Sequence, residues 1–93
     1  MSPESSVCFE LKVISPTRLL TEAKVTEVQV PGLDGYLGIW PGHRPLNTCL
    51  SRGDITFKTT DNREERITIK GGLMKVEATK ILIMADLDEH DRS

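Results

Sequence analysis

Two histidines, two cysteines and a run of acidic residues are the side chains here that could do chemistry. His43 directly follows Pro41-Gly42 in the most breaker-rich stretch of the chain. As a general base it would need a nucleophile, Cys49 or Ser51, and a third group to orient the imidazole. The spacing supplies no such group, so an enzyme built on His43 is the weaker reading. His90 falls in a polar tail and reads as a solvated side chain. Neither the histidines nor the cysteines stand at zinc-ligand spacing. Asp86, Asp88, Glu89 and Asp91 could gather calcium, but they lack the spacing and the central glycine of an EF-hand loop, and a solvated terminus is the better reading. Gly32, Gly35, Gly38 and Gly42 match neither the phosphate-binding loop that ends in Gly-Lys-Ser/Thr nor the dinucleotide fingerprint, and no helix follows them. No catalytic residue, no metal, no cofactor and no small-molecule substrate are expected.

Those glycines shape backbone instead. Residues 31–45 read P-G-L-D-G-Y-L-G-I-W-P-G-H-R-P. Glycine serves positive φ or close backbone approach, and proline fixes φ and cannot donate to a strand ladder. This density of breakers argues against a helix and against any long strand. Tyr36, Leu37, Ile39, Trp40 and Leu46 argue equally against a flexible linker. The expected path is a tight loop, a short strand over 36–39, a second turn at Pro41-Gly42, then a new strand. Tyr36 reads either as a plug at the end of the core or as an exposed aromatic contact for a partner. Trp40 reads as core or rim, and Arg44 as a second candidate contact.

The elements around this stretch are strands. Val7, Phe9, Leu11 and Val13 alternate with Cys8, Glu10, Lys12 and Ile14, the pattern of a half-buried strand ended by Ser15-Pro16. A short strand is expected over 17–21 and another over 24–30. Between Val25 and Val28 the apolar spacing slips, which a β-bulge near Thr26-Glu27 would absorb. Strands follow over 46–50, 54–59 and 64–70, with a polar hairpin connection over 60–63. Gly71-Gly72 marks a bend or a close backbone approach, Met74 and Val76 point inward, and Ile81-Leu82-Ile83-Met84 reads as a strand buried on both faces. No amphipathic helix, fixed-period repeat or low-complexity tract is present. The fold class is therefore all-β: a small flattened β-sandwich or barrel of about eight to ten short, mostly antiparallel strands. The organisation expected is a disordered 1–6, a sandwich over 7–86 and a polar acidic tail over 87–93.

With 93 residues the chain makes one domain with a modest core, and with 4% aromatic residues that core must be aliphatic. A net charge of −2 gives no basic footprint for nucleic acid. No apolar run approaches the length of a bilayer span, so no membrane insertion is expected, and the first residues lack a secretory signal. Cys8 and Cys49 lie in apolar strand contexts and read as buried free thiols of a cytoplasmic protein rather than as a disulfide.

The 28–46 stretch resembles the signature of the epsilon subunit of rotary F-type ATP synthases, through Asp34, Gly35, Leu37, Gly38, Ile39, Pro41, Gly42, His43, Pro45 and Leu46. The flanks are similar too: Phe9, Leu11 and Val13-Ile-Ser-Pro in the first strand, Gly53, Ile55 and Phe57 after the signature, and Gly71-Gly72-Leu-Met-Lys-Val-Glu with Ile81-Leu-Ile-Met-Ala-Asp at the end. The resemblance implies a ten-stranded sandwich. It also implies a non-catalytic central-stalk subunit that binds the gamma subunit and the rotor ring and couples ion translocation to ATP synthesis. Such a subunit is peripheral, on the cytoplasmic face of the bacterial inner membrane. It further implies Leu33, Asp34, Gly35, Tyr36 and His43 as ring contacts, and Ser15, Thr48 and Arg44 as gamma contacts. Arg44 and Asn47 depart from the family pattern, which has a small residue and a leucine there. The family normally continues into two C-terminal helices that can inhibit hydrolysis. The sequence ends at Ser93, so a coupling role without that switch is the expectation. The alternative is a free-standing β-sandwich interaction module that uses loop 31–45 on another partner.

Overall fold

A computed structural model describes residues 8–42 and 44–87. Eight strands run in order: β1 (Phe9–Ile14), β2 (Leu19–Gly32), β3 (Gly35–Ile39), β4 (Leu46–Leu50), β5 (Gly53–Thr59), β6 (Glu64–Ile69), β7 (Gly71–Val76) and β8 (Lys80–Asp86). The resemblance implied ten strands; eight lie among the described residues, and β2 does the work of two. Its first half pairs with β1 from Leu19 to Val25, and its second half pairs with β5 on one edge and β3 on the other. From β1 the sheet continues through β8 and β7 to β4, whose last residue returns to β2 through Leu50 opposite Gly32. The β1–β8 pair is parallel and the others are antiparallel. One sheet thus curls on itself into a small sandwich closed at both ends of β2.

Alternation in the strands explains the core. Phe9, Leu11 and Val13 of β1, Ile55, Phe57 and Thr59 of β5, Met74 and Val76 of β7, and Ile81, Ile83 and Ala85 of β8 all point inward and are buried. Apart from Thr59 they meet Val25, Val28 and Val30 of β2, with Ile39, Leu50 and Ile69 completing a single hydrophobic, mainly aliphatic cluster. Residues at period two share one face, so one alternating strand buries about half its side chains.

The expected bulge is present. The β2–β5 register shifts between Val25 and Glu27, opposite Thr59 and Lys58, so Val25 and Val28 both face the core despite their odd spacing. A second shift, between Val13 and Ile14, carries the β1–β2 pairing past Leu20.

Three sequence expectations are corrected. Segments 17–21 and 24–30 are one strand of 14 residues, because Glu22 and Ala23 keep pairing with Lys12 and Leu11. That strand also runs through Pro31 to Gly32, so breakers did not prevent a long strand: a proline near a strand end is compatible with pairing where its N–H is not needed. The run from Ile81 to Met84 is buried on one face only, since Leu82 is half-buried and Met84 is exposed. Its outward residues are apolar without being covered.

The β5–β6 connection is held by side chains. Thr59 Oγ1 donates to the Asp61 carboxylate and accepts the Arg63 N–H at 3.1 Å, and Asn62 adopts a left-handed φ of 71°. The Thr59 hydroxyl, with help from the neighbouring Arg63 guanidinium, holds the Asp61 carboxyl below the usual carboxylate range. A lowered folded-state pKa stabilises the fold above the unfolded value, and that contribution fades as pH falls through the folded value. An NMR titration of the Asp61 carboxyl should show it titrating below an ordinary aspartate, and Thr59→Val should move it back up. An unchanged titration in the variant would mean the hydroxyl is not the cause.

Candidate functional site

The breaker-rich stretch forms the β2–β3 hairpin. Leu33 and Asp34 make its two-residue tip between Gly32 and Gly35, which pair with each other. Gly35 has φ 129°, open to glycine and costly for other residues, and a Cβ on Gly32 would lie 2.8 Å from the Gly35 carbonyl oxygen. Both glycines are therefore required by the turn. The tip projects apolar surface: Leu33 is 68% exposed and Tyr36 59%. The Tyr36 ring is not a core plug, and its hydroxyl accepts the Asp54 N–H at 3.1 Å. Trp40 is corrected from core or rim to exposed, at 54%. Its ring lies over Gly38, where a Cβ would come within 2.7 Å of it.

The residues expected to face the second partner lie elsewhere. Ser15 is buried in the β1–β2 turn, where its Oγ accepts the Thr17 N–H at 3.3 Å. Thr48 is half-buried in β4, and Arg44 is exposed just before it. His43 lies outside the described residues, as do His90 and the acidic residues Asp88, Glu89 and Asp91. The sequence-stretch Pro41-Gly42 does form a turn, and the Gly42 N–H reaches the Ala78 carbonyl at 3.3 Å. Cys8 is half-buried and Cys49 exposed, both with free thiols, so Cys49 is not the buried residue its strand context suggested: it takes an outward position in β4.

Sequence reading missed one surface. Leu19 stands opposite Ile14, Ile14 opposite Met84, Met84 opposite Leu73, and Leu73 opposite Cys49. These five side chains form one apolar row across β2, β1, β8, β7 and β4, on the face turned away from the core. Leu19, Leu73 and Met84 are among the most exposed large apolar residues described, and a shallow cleft lined by Ile14, Pro16, Leu73 and Met84 runs along the row. The next row inward along the strands is Lys12, Leu82 and Lys75, so the apolar row has a charged border. Ser15 and Thr48 are chain neighbours of Ile14 and Cys49 without belonging to the row: Ser15 is buried, and Thr48 stands opposite the buried Met74. The outward positions of the separate strands carried the signal, but only the register lines them up.

The molecule is a small all-β sandwich with an exposed apolar hairpin tip and an apolar row on one sheet face. The chain belongs to the ATP synthase delta/epsilon chain β-sandwich domain family, whose model matches residues 8–90. It is 37% identical over 81 residues to the ATP synthase epsilon chain of Moorella thermoacetica and 41% identical over 81 residues to that of Solibacter usitatus, in each case covering 87% of this chain. The chain spans 60% of the length of both relatives. Its fold is similar to that of a chain in the Euglena gracilis mitochondrial ATP synthase OSCP/F1/c-ring structure, with a TM-score of 0.79 at 17% identity over 85% of this chain and 51% of that one. A chain of the Tetrahymena thermophila mitochondrial ATP synthase central stalk/c-ring structure gives 0.69 at 16% identity over 89% of this chain and 68% of that one.

Proposed function

We propose that this chain is a non-catalytic central-stalk subunit of an F-type ATP synthase that binds the gamma subunit and the rotor ring and helps couple ion translocation to ATP synthesis. Membership of the delta/epsilon family, together with two separate exposed apolar surfaces on so small a domain, supports this reading. The hairpin tip, with Leu33, Asp34, Gly35 and Tyr36, contacts the ring together with His43. The apolar row, flanked by Ser15 and Thr48 and approached by Arg44, contacts gamma. Because Ser15 is buried and Thr48 half-buried, the contact energy comes from Leu19, Leu73 and Met84, and Ser15 acts by shaping the turn beside them. In this role the chain sits peripherally at the cytoplasmic face of the bacterial inner membrane. No described helix is long and apolar enough to cross a membrane.

Size exclusion of the chain with a purified gamma-containing catalytic head tests the reading. Comigration is expected, and Leu73→Asp should weaken it about 10–100-fold by placing a charge in a desolvated contact. Leu33→Asp should leave comigration with the head intact and reduce retention on isolated rotor rings by a similar factor. Wild-type chain that binds neither component would favour the free-standing interaction module instead.

A further inference from the structure

The connection between β4 and β5 binds the base of the hairpin more closely than a plain turn requires. The Ser51 N–H donates to the Pro31 carbonyl at 2.8 Å, and Ser51 Oγ lies 3.2 Å from the Gly32 carbonyl oxygen and 3.4 Å from that of Pro31. Three residues on, the Asp54 N–H donates to the Tyr36 hydroxyl at 3.1 Å. Between them Gly53 lies so close that a Cβ would stand 2.7 Å from both Pro31 Cβ and the Tyr36 hydroxyl. The far side of this turn is itself anchored, since the Asp54 carboxylate accepts from Thr68 Oγ1 at 2.7 Å and from Arg66 at 3.4 Å on β6.

Chain position gives these contacts their meaning. Ser51 follows Cys49 and Leu50, the β4 end of the apolar row, and it grips the two residues that immediately precede the tip residue Leu33. The path from one docking surface to the other is thus Cys49, Leu50, Ser51, a hydrogen bond, Gly32, Leu33. Along the backbone alone, the tip is joined to Leu19 through the length of β2 and to Cys49 through β3 and residues 40–45.

We infer that the 51–54 segment, the short connection and the start of β5, is a clasp that fixes the hairpin tip relative to the apolar row, with Ser51 and Gly53 as positioning residues for simultaneous docking on two components. This rests on the reading that the two surfaces engage different components. A domain that bridges two partners gains affinity through effective concentration only when its two sites are held in the geometry that both partners demand. Holding that geometry before binding also spares ordering entropy. Ser51 belongs to neither exposed surface, so losing its hydroxyl alters the angle between the surfaces and leaves each surface intact, whereas a side chain at Gly53 would also press on Tyr36 of the tip.

The test compares wild type, Ser51→Ala, Ser51→Thr and Gly53→Ala for binding to the gamma-containing head alone, to isolated rotor rings alone, and to assembled head-plus-ring complexes. Circular dichroism and melting curves accompany each variant. Ser51→Ala is expected to bind each component alone within about twofold of wild type and the assembled complex about tenfold less tightly. Ser51→Thr, which keeps the hydroxyl, should return to the wild-type value. Gly53→Ala should show the larger loss, and if it fails to fold, Ser51→Ala carries the test. Unchanged binding to the assembled complex by Ser51→Ala would overturn the clasp and leave the docking reading standing. Equal losses for single and bridged partners would overturn it too, by showing a general structural role. Wild type that binds neither component alone would overturn the docking reading and the clasp with it.

Discussion

Ile83→Ala is expected to cost about 2–5 kcal/mol of stability, as large-to-small changes at fully buried aliphatic sites do. Ile83 has no exposed surface and sits in β8 between Val13 of β1 and Met74 of β7, both buried themselves. The loss combines the transfer energy of the removed methylenes with a cavity that strands paired on both sides cannot close. Domains this small have total stabilities of about 5–15 kcal/mol, so the variant should melt far earlier and lie close to unfolding at moderate urea. Met84, one residue along, gives the internal control. It is 42% exposed on the outer row, and Met84→Ala should cost under about 1 kcal/mol. Equilibrium urea unfolding of both variants decides the matter. Equal losses would mean that the outer face of β8 is covered in the free chain.

Gly72→Ala is the second large effect. A Cβ there would stand 2.5 Å from the Met84 carbonyl oxygen and 3.2 Å from Ala85 Cα, all backbone of the paired strand. No side-chain rotation can relieve that contact, so β7 and β8 must separate locally, at about 1–3 kcal/mol as for other overpacking changes. The strain falls on the Gly72–Ala85 and Leu73–Met84 pairs, which also carry part of the apolar row. Weaker docking should therefore accompany the lower melting temperature. Gly71→Ala is the contrast: its Cβ would meet the Leu50 carbonyl oxygen at 3.4 Å, an ordinary contact, and the variant should lie within about 1 kcal/mol of wild type. If the two alanine variants melt alike, the close approach at Gly72 is not what selects glycine there.

The two glycines show how far a sequence can be read. That Gly71-Gly72 marked a bend or a close backbone approach was legible, because a glycine pair inside a strand pattern weakens it unless one of these is needed. Which glycine needed the space was not, because the crowding atom comes from β8 and is brought there by register. The bulge at Thr26-Glu27 was legible for a local reason: two valines that must share a face stood at odd spacing. The exposure of Trp40 was not, since a large aromatic among apolar neighbours reads the same whether it fills a core or lies across Gly38 on the surface. The tip residues Leu33, Asp34, Gly35 and Tyr36 were singled out through the family resemblance, whereas Leu19, Leu73 and Met84 each looked like an ordinary strand residue.

By itself the sequence determined the all-β class, the inward face of β1, β5, β6 and β7, the tight loop and short strand of the glycine-rich stretch and, through its motif, the family. These rest on local physics: side-chain period, turn chemistry and the backbone freedom of glycine act over a few residues. The tertiary structure alone decided that β2 is one strand serving both parts of the sheet, that β1 lies parallel to β8, that five outward side chains form one row, and that Ser51 holds the hairpin base. Each of these depends on which strands pair and in what register. Pairing is set by how all the apolar faces can be buried together, a property of the whole chain that no single segment carries.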